Sequence, residues 1–171
     1  MNATDENTEG AEPIDDDRME IVNEMHTVSI LRSFLIVADG EIYALPVANV
    51  LESARIGQDE DDGMNHALFY RWKDEVLPIL DFAALAGRPV LRRQSGIIFV
   101  IQADNRRRAL LADEAIGIRE IVVEGLDSIA GSAVGISGVS TLDDGRVAFI
   151  LDPRGLVALS LGPAPAASQR G

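Results

Sequence analysis

Val76-Leu77-Pro78-Ile79-Leu80-Asp81 returns later in the chain as Val147-Ala148-Phe149-Ile150-Leu151-Asp152. Both keep Val-x-x-Ile-Leu-Asp, and both follow a charged turn. Short apolar runs rich in β-branched residues, bounded by turn residues, read as strands. Upstream, the turn and strand of Asp39–Ala44 align with Asp104–Ala109. The offsets, 71 residues for the first pair and 65 for the second, differ by little. Two such matches in the same order, in matching strand contexts, point to an internal duplication.

Strands spread outward from these anchors. Ser33–Val37 turns at Ala38-Asp39-Gly40 into Glu41–Leu45, and Asp-Gly is a strong hairpin signal. Pro46 ends that strand because it cannot donate to a ladder. Ala54–Ile56 is a short strand before the acidic loop Gly57–Gly63. His66–Trp72, turned by Lys73-Asp74, leads into Glu75–Leu80. In the second half Gly96–Gln102, the turn Asp104–Arg106 and Arg107–Ala112 come first. Ile116–Val123, Gly135–Leu142 and Arg146–Leu151 follow, the last two joined at Asp143-Asp144-Gly145. About ten strands and little helix give an all-β chain. Five strands per half suit two small closed barrels, which remove exposed sheet edges.

The flanks differ in composition. Residues 1–26 hold nine acids against Arg18 alone, a net of −8 out of −13 for the whole chain. Residues 1–30 are therefore expected to be an acidic, largely disordered extension. Asp15–Asp17 can cap a short helix over Arg18–Met25, whose Ile21, Val22 and Met25 share one stripe. That helix either docks on the domain or stays loose. Residues 31–160 form the domain, and residues 161–171 read as a flexible tail.

Composition excludes several kinds of chemistry. There is no cysteine and only two histidines, His26 and His66, so thiolate nucleophiles, Cys-ligated zinc and His-based triads lack material. No metal or cofactor site is expected. The acidic surface repels a phosphate backbone, so no nucleic-acid partner is expected. Arg106–Arg108 follow Asp104-Asn105 and read as a solvated hairpin turn. No apolar run is long enough to span a bilayer, and the acidic start is no signal peptide. No membrane insertion and a cytoplasmic location follow as expectations.

Asp81 and Asp152 are the tempting acid–base pair. Each ends a strand and precedes a helical stretch, Phe82–Leu85 and Pro153–Leu159. Asp is a favoured N-cap, and Pro153 falls where its missing N–H costs nothing, so capping is the better reading. Gly131, Gly135 and Gly138 fit no phosphate-loop spacing, and Ser137 and Ser140 have no nucleophile elbow. The aromatics carry more information. Phe69, Tyr70 and Trp72 crowd one strand although aromatics are only 5% of the chain. Alternation puts Tyr70 and Trp72 on one face and Phe69 and Arg71 on the other. Phe69 is expected in the core unless Arg71 makes that face the wet one. Trp72 is a candidate interface anchor.

The pattern resembles the CheW-like family of bacterial chemotaxis signalling, from about Ser33 to Leu159. Phe34-Leu35-Ile36-Val37 and Tyr43-Ala44-Leu45-Pro46-Val47-Ala48-Asn49-Val50-Leu51-Glu52 are similar to its opening hairpin and following turn. Val76–Phe82 matches its Val-x-Pro strand. Gly135-Ile136-Ser137-Gly138, Leu142, Asp144-Gly145 and Val147–Asp152 resemble the regulatory domain of CheA histidine kinases. Where many members carry Asn-Leu-Arg-Gly, this chain has Arg71-Trp72-Lys73-Asp74. Lys73 can replace the arginine's charge but not its bidentate fork.

The resemblance implies two intertwined five-stranded SH3-like barrels with short connecting helices. It implies a non-catalytic adaptor without cofactors. The partners it implies are a CheA-type histidine kinase, a chemoreceptor cytoplasmic tip and other CheW-like domains, with recruitment to membrane receptor arrays through them. A stand-alone adaptor is the first reading, favoured by the Met-led acidic head. The alternative is the regulatory domain of a CheA-type kinase. The candidate partner-binding residues are Tyr70, Arg71, Trp72, Lys73 and Asp74, and then Val50, Leu51 and Glu52.

Overall fold

The computed structural model describes residues 29–57, 64–65, 69–85, 88, 95–124 and 135–159. The acidic head, the loop after Gly57, His66 and the tail lie outside the described residues. Eleven strands are described: β1 Ser29–Ala38, β2 Glu41–Pro46, β3 Val50–Ile56, β4 Met64–Asn65, β5 Phe69–Trp72, β6 Glu75–Asp81, β7 Gly96–Ala103, β8 Arg106–Ala112, β9 Glu114–Val123, β10 Ile136–Thr141 and β11 Val147–Leu151. Two short helices follow the repeated strands, α1 Phe82–Leu85 and α2 Pro153–Ala158.

The hairpin turns fall where sequence places them. Asp39-Gly40 and Asp104-Asn105 both adopt positive φ at their two central residues, and Asn and Asp tolerate that conformation better than most. Two boundaries differ. The strand expected at Ala54–Ile56 begins at Val50, because a bulge carries pairing past Leu51. The turn expected at Asp104–Arg106 closes in two residues, so Arg106 already belongs to β8.

The strands form two sheets, ordered β10-β11-β2-β1-β9 and β3-β7-β8-β6-β5-β4. The first has five strands. The second has five plus the two-residue β4. Backbone bonds between Glu124 and Val139 close the first sheet on itself. Each sheet draws strands from both halves of the sequence, so the barrels are intertwined.

The register shows the duplication. Ile79 pairs with Ala109 where β6 runs parallel to β8, and Ile150 pairs with Ala44 where β11 runs parallel to β2. In the repeat, Ile79 corresponds to Ile150 and Ala109 to Ala44. Ile36 pairs with Ala115, and its counterpart Ile101 pairs with Val50. Even the bulges correspond: pairing skips Ile116 in β9 and Leu51 in β3.

Three apolar cores result. Leu35, Ile42, Ala44, Ile121, Ala148 and Ile150 fill the first barrel. Tyr70, Trp72, Leu77, Ile79, Val100 and Leu111 are among those filling the second. Between the barrels lies the third core, with Ile36, Leu45, Leu80, Phe99, Ile101, Leu110, Leu151 and Leu156. Ile97-Ile98-Phe99-Val100-Ile101 is apolar without alternation because β7 faces a core on each side. Burying such side chains contributes roughly 1.5–3 kcal/mol each. The Phe34 and Phe99 rings meet across this interior at 5.3 Å between centroids.

Both repeated aspartates act as caps. Asp81 accepts from the Ala83 amide at 2.8 Å and Asp152 from the Arg154 amide at 3.1 Å. Pro153 occupies the first helical turn after Asp152.

Candidate functional site

Alternation alone does not say which face of β5 is inside. Packing turns Tyr70 and Trp72 inward, each 8% exposed, and leaves Arg71 in water. Phe69, on Arg71's face, is only partly buried, the outcome expected where Arg71 makes that face the wet one. An aromatic on the wet face of a hairpin buries only the flank that its cross-strand partner covers. Here that partner is Pro78.

A buried indole needs a partner for its N–H. Trp72 Nε1 donates to Glu52 Oε2 at 2.8 Å, joining β5 to β3. Two sequence-distant candidate segments, Val50–Glu52 and Tyr70–Asp74, thus meet at one bond. Val50 packs against the core between the barrels. Leu51 is the bulge residue and is 46% exposed. Glu52 lies exposed beside it.

Lys73 and Asp74 make the turn from β5 to β6 and are exposed. Lys73 has φ +53, a conformation costly for a side-chain-bearing residue. Asp74 is not in that region, so the turn does not demand a glycine there. The Lys73 ammonium lies 4.4 Å from the indole centroid and the Arg107 guanidinium carbon 5.5 Å from it. Each such contact contributes roughly 0.5–1 kcal/mol where water still reaches it.

Arg107 is the functional candidate that sequence reasoning missed. Its Nε donates to Gln102 Oε1 at 2.8 Å, and its Nη1 pairs with Glu75. Gln102 is its cross-strand partner, and Glu75 faces Trp72 across the β5–β6 hairpin. Asn49 Nδ2 donates to the Gln102 carbonyl at 3.0 Å, tying the start of β3 to the same hairpin. Sequence suggested a solvated arginine turn. A strand register beginning at Arg106 would have aimed Arg107 at Gln102. Burial lowers the Arg108 guanidinium from its ordinary value, and the charge of Arg106 adds to this.

The site is thus a buried indole edged by Glu52, Lys73, Glu75 and Arg107, with Asp74 in the adjoining turn. Leu51 and, at 57% exposure, Val76 stand out beside it in the chain. Exposed apolar residues among both signs of charge suit recognition of a protein surface. Among the described residues, no group of three His, Cys, Asp or Glu side chains is placed to hold a metal. No helix among the described residues is long and apolar enough to cross a membrane.

Comparison with known proteins agrees with this architecture. The family model for the CheW-like domain matches residues 32–160. The chain is 30% identical over 138 residues to a chemotaxis protein CheA of Treponema pallidum, covering 79% of this chain and 17% of that protein. It is 32% identical over 140 residues to a chemotaxis protein CheA of Salmonella typhimurium, covering 78% and 20%. The chain therefore spans about a fifth of the length of the curated relatives it matches. A crystal structure of scaffolding protein TtCheW from Thermoanaerobacter tengcongensis superposes with a TM-score of 0.57 at 13% identity. That match covers 72% of this chain and 90% of the other.

Proposed function

The chain belongs to the CheW-like domain family, and from that premise we propose that it is a non-enzymatic adaptor coupling chemoreceptors to a CheA-type histidine kinase. The observation that carries this reading is the site around Trp72. It offers exposed apolar residues within mixed charge, and its polar groups include no nucleophile paired with a base. Asp81 and Asp152, the residues that looked catalytic, spend their carboxylates on helix caps.

In this reading the second barrel meets the CheW-like domain of the kinase, with Leu51, Glu52, Lys73 and Asp74 at the contact. The groove between the barrels faces the receptor tip. Recruitment to receptor arrays then follows from partners, and the protein itself works in the cytoplasm.

Co-purification with a CheA-type kinase and a receptor cytoplasmic fragment tests the reading. Capture of both is expected, and capture of neither at micromolar concentrations overturns it. Kinase output on adding the protein separates an activating coupler from an inhibitory one.

One observation favours a second reading, a regulatory domain of a CheA-type kinase. The relatives named above are CheA proteins of which this chain spans only a part. Immunoblotting native cells distinguishes the two. A stand-alone adaptor runs near 18.4 kDa, and a kinase domain runs as part of a much larger band.

A further inference from the structure

The sheet of the second barrel has an outer face, opposite to the one that holds Trp72. Tyr70, Trp72, Leu77, Ile79, Ala109 and Leu111 help fill the barrel. Alternation therefore turns Phe69, Arg71, Val76, Pro78, Arg106 and Arg108 the other way. Arg71 pairs with Val76 and Phe69 with Pro78 across the β5–β6 hairpin. β6 runs parallel to β8 with Ile79 beside Ala109, so one step back along both strands brings Pro78 level with Arg108, and three steps bring Val76 level with Arg106. The Arg107–Glu75 ion pair, on the inner side, holds the two strands together at that end. Three arginines thus surround Val76, which is 57% exposed, and the half-buried Phe69 and Pro78.

β5, β6 and β8 put no acid on this face. None of its three arginines forms an ion pair among the described residues, whereas Arg107, Arg146 and Arg154 each pair with a carboxylate. Arg108 is the most confined of the three. Its Nη1 donates to the Arg107 carbonyl at 2.9 Å, but its Nε is buried and meets no acceptor among the described residues. Water therefore neutralises that charge only from the outer edge of the guanidinium, and the neighbouring charge of Arg106 adds to the cost. A carboxylate arriving at that edge offsets both.

We propose that this face docks an acidic segment of a protein partner, one with carboxylates on both sides of an apolar pair. Arg71, Arg106 and Arg108 take the carboxylates, and Val76 and Pro78 take the apolar side chains. Charge complementarity decides the occupant. The whole chain carries a net charge of −13, yet the face spans only about 10 Å across its three strands and about 7 Å along them. That is roughly one screening length in ~0.1 M salt, so a short acidic segment feels these arginines more than the acids elsewhere. A nucleic acid outreaches the face and meets the surrounding acids. The inference does not depend on the adaptor reading.

The probe is a short synthetic peptide with glutamates on both sides of a Leu-Phe pair, titrated into the isotope-labelled full-length protein. The amide signals of Phe69, Arg71, Val76, Arg106 and Arg108 are expected to shift, and those of residues 139–148 on the first barrel to stay. Affinity should fall as salt is raised. Arg71→Glu/Arg106→Glu should weaken binding by about tenfold or more, because it turns attraction into repulsion. Both positions are exposed, and Arg71→Gln/Arg106→Gln keeps the test valid if the reversal fails to fold. No binding at millimolar peptide overturns the proposal, and so does equal affinity in these variants. Equal binding of a peptide with lysine in place of glutamate, or of free glutamate, also overturns it. Shifts at the same amides on concentrating the protein alone, or in Asp15→Asn/Asp16→Asn/Asp17→Asn, place the chain's own acids on the face and overturn it too.

Discussion

The Trp72 indole N–H donates to the Glu52 carboxylate at 2.8 Å, linking β5 to β3, which stand apart in the sheet order. This bond brings two distant stretches of sequence into one surface. Glu52→Ala leaves the buried indole N–H without this acceptor, which costs about 1 kcal/mol. Glu52→Gln keeps an acceptor and should recover most of that. Trp72 is the sole tryptophan, so its fluorescence reports this site alone. A red-shifted emission in Glu52→Ala, and less shift in Glu52→Gln, is expected. An unchanged spectrum in both contradicts the assignment.

Asp152→Ala removes the acceptor for the Arg154 amide at the start of α2. The expected loss is about 1 kcal/mol, read as a lower denaturant midpoint with unchanged slope. Asp152→Asn, which can still cap, should lose only a fraction of that. Equal losses would mean that the carboxylate's charge, not its cap, matters.

The two duplicated halves cannot make barrels alone, because each barrel takes strands from both. Residues 29–95 expressed alone should give no dispersed amide spectrum, and the full chain should unfold in one transition. A folded half would contradict the intertwined topology.

This swap marks the limit of what sequence could reveal. Val76–Asp81 and Val147–Asp152 were legible as equivalents because each is a short β-branched run after a charged turn. Equivalence does not say which strand each joins. Ile79 could have paired within its own half. Only its place beside Ala109, mirrored by Ile150 beside Ala44, settles the exchange. At the site, alternation put Tyr70 and Trp72 on one face, but packing decided that it was the inner one. Arg107 escaped because a run of three arginines after Asp-Asn looks solvated. Its orientation depends on a register that begins one residue earlier than composition suggests.

Gly135 and Gly145 both hold positive φ, at +87 and +81, yet differ in surroundings. A Cβ at Gly135 would come 2.5 Å from Leu156 Cδ2, in the core beside α2, whereas nothing lies within 4 Å at Gly145. Gly145→Ala should cost only backbone strain, about 1 kcal/mol. Gly135→Ala adds an overpacked core and should cost about 3 kcal/mol. Comparable melting shifts in the two variants would refute the close approach of α2 to Gly135.

In the proposed adaptor reading, the second barrel engages a CheA-type kinase around Leu51, Glu52, Lys73 and Asp74. Equilibrium titration of the full chain against such a kinase tests it most directly. Leu51→Asp and Lys73→Glu serve as comparisons, each first checked for an unchanged melt. Micromolar or tighter binding is expected, weakened by about tenfold or more in each variant, or roughly 1.4 kcal/mol. An unbound wild-type chain, or equal affinity in all three proteins, would contradict it.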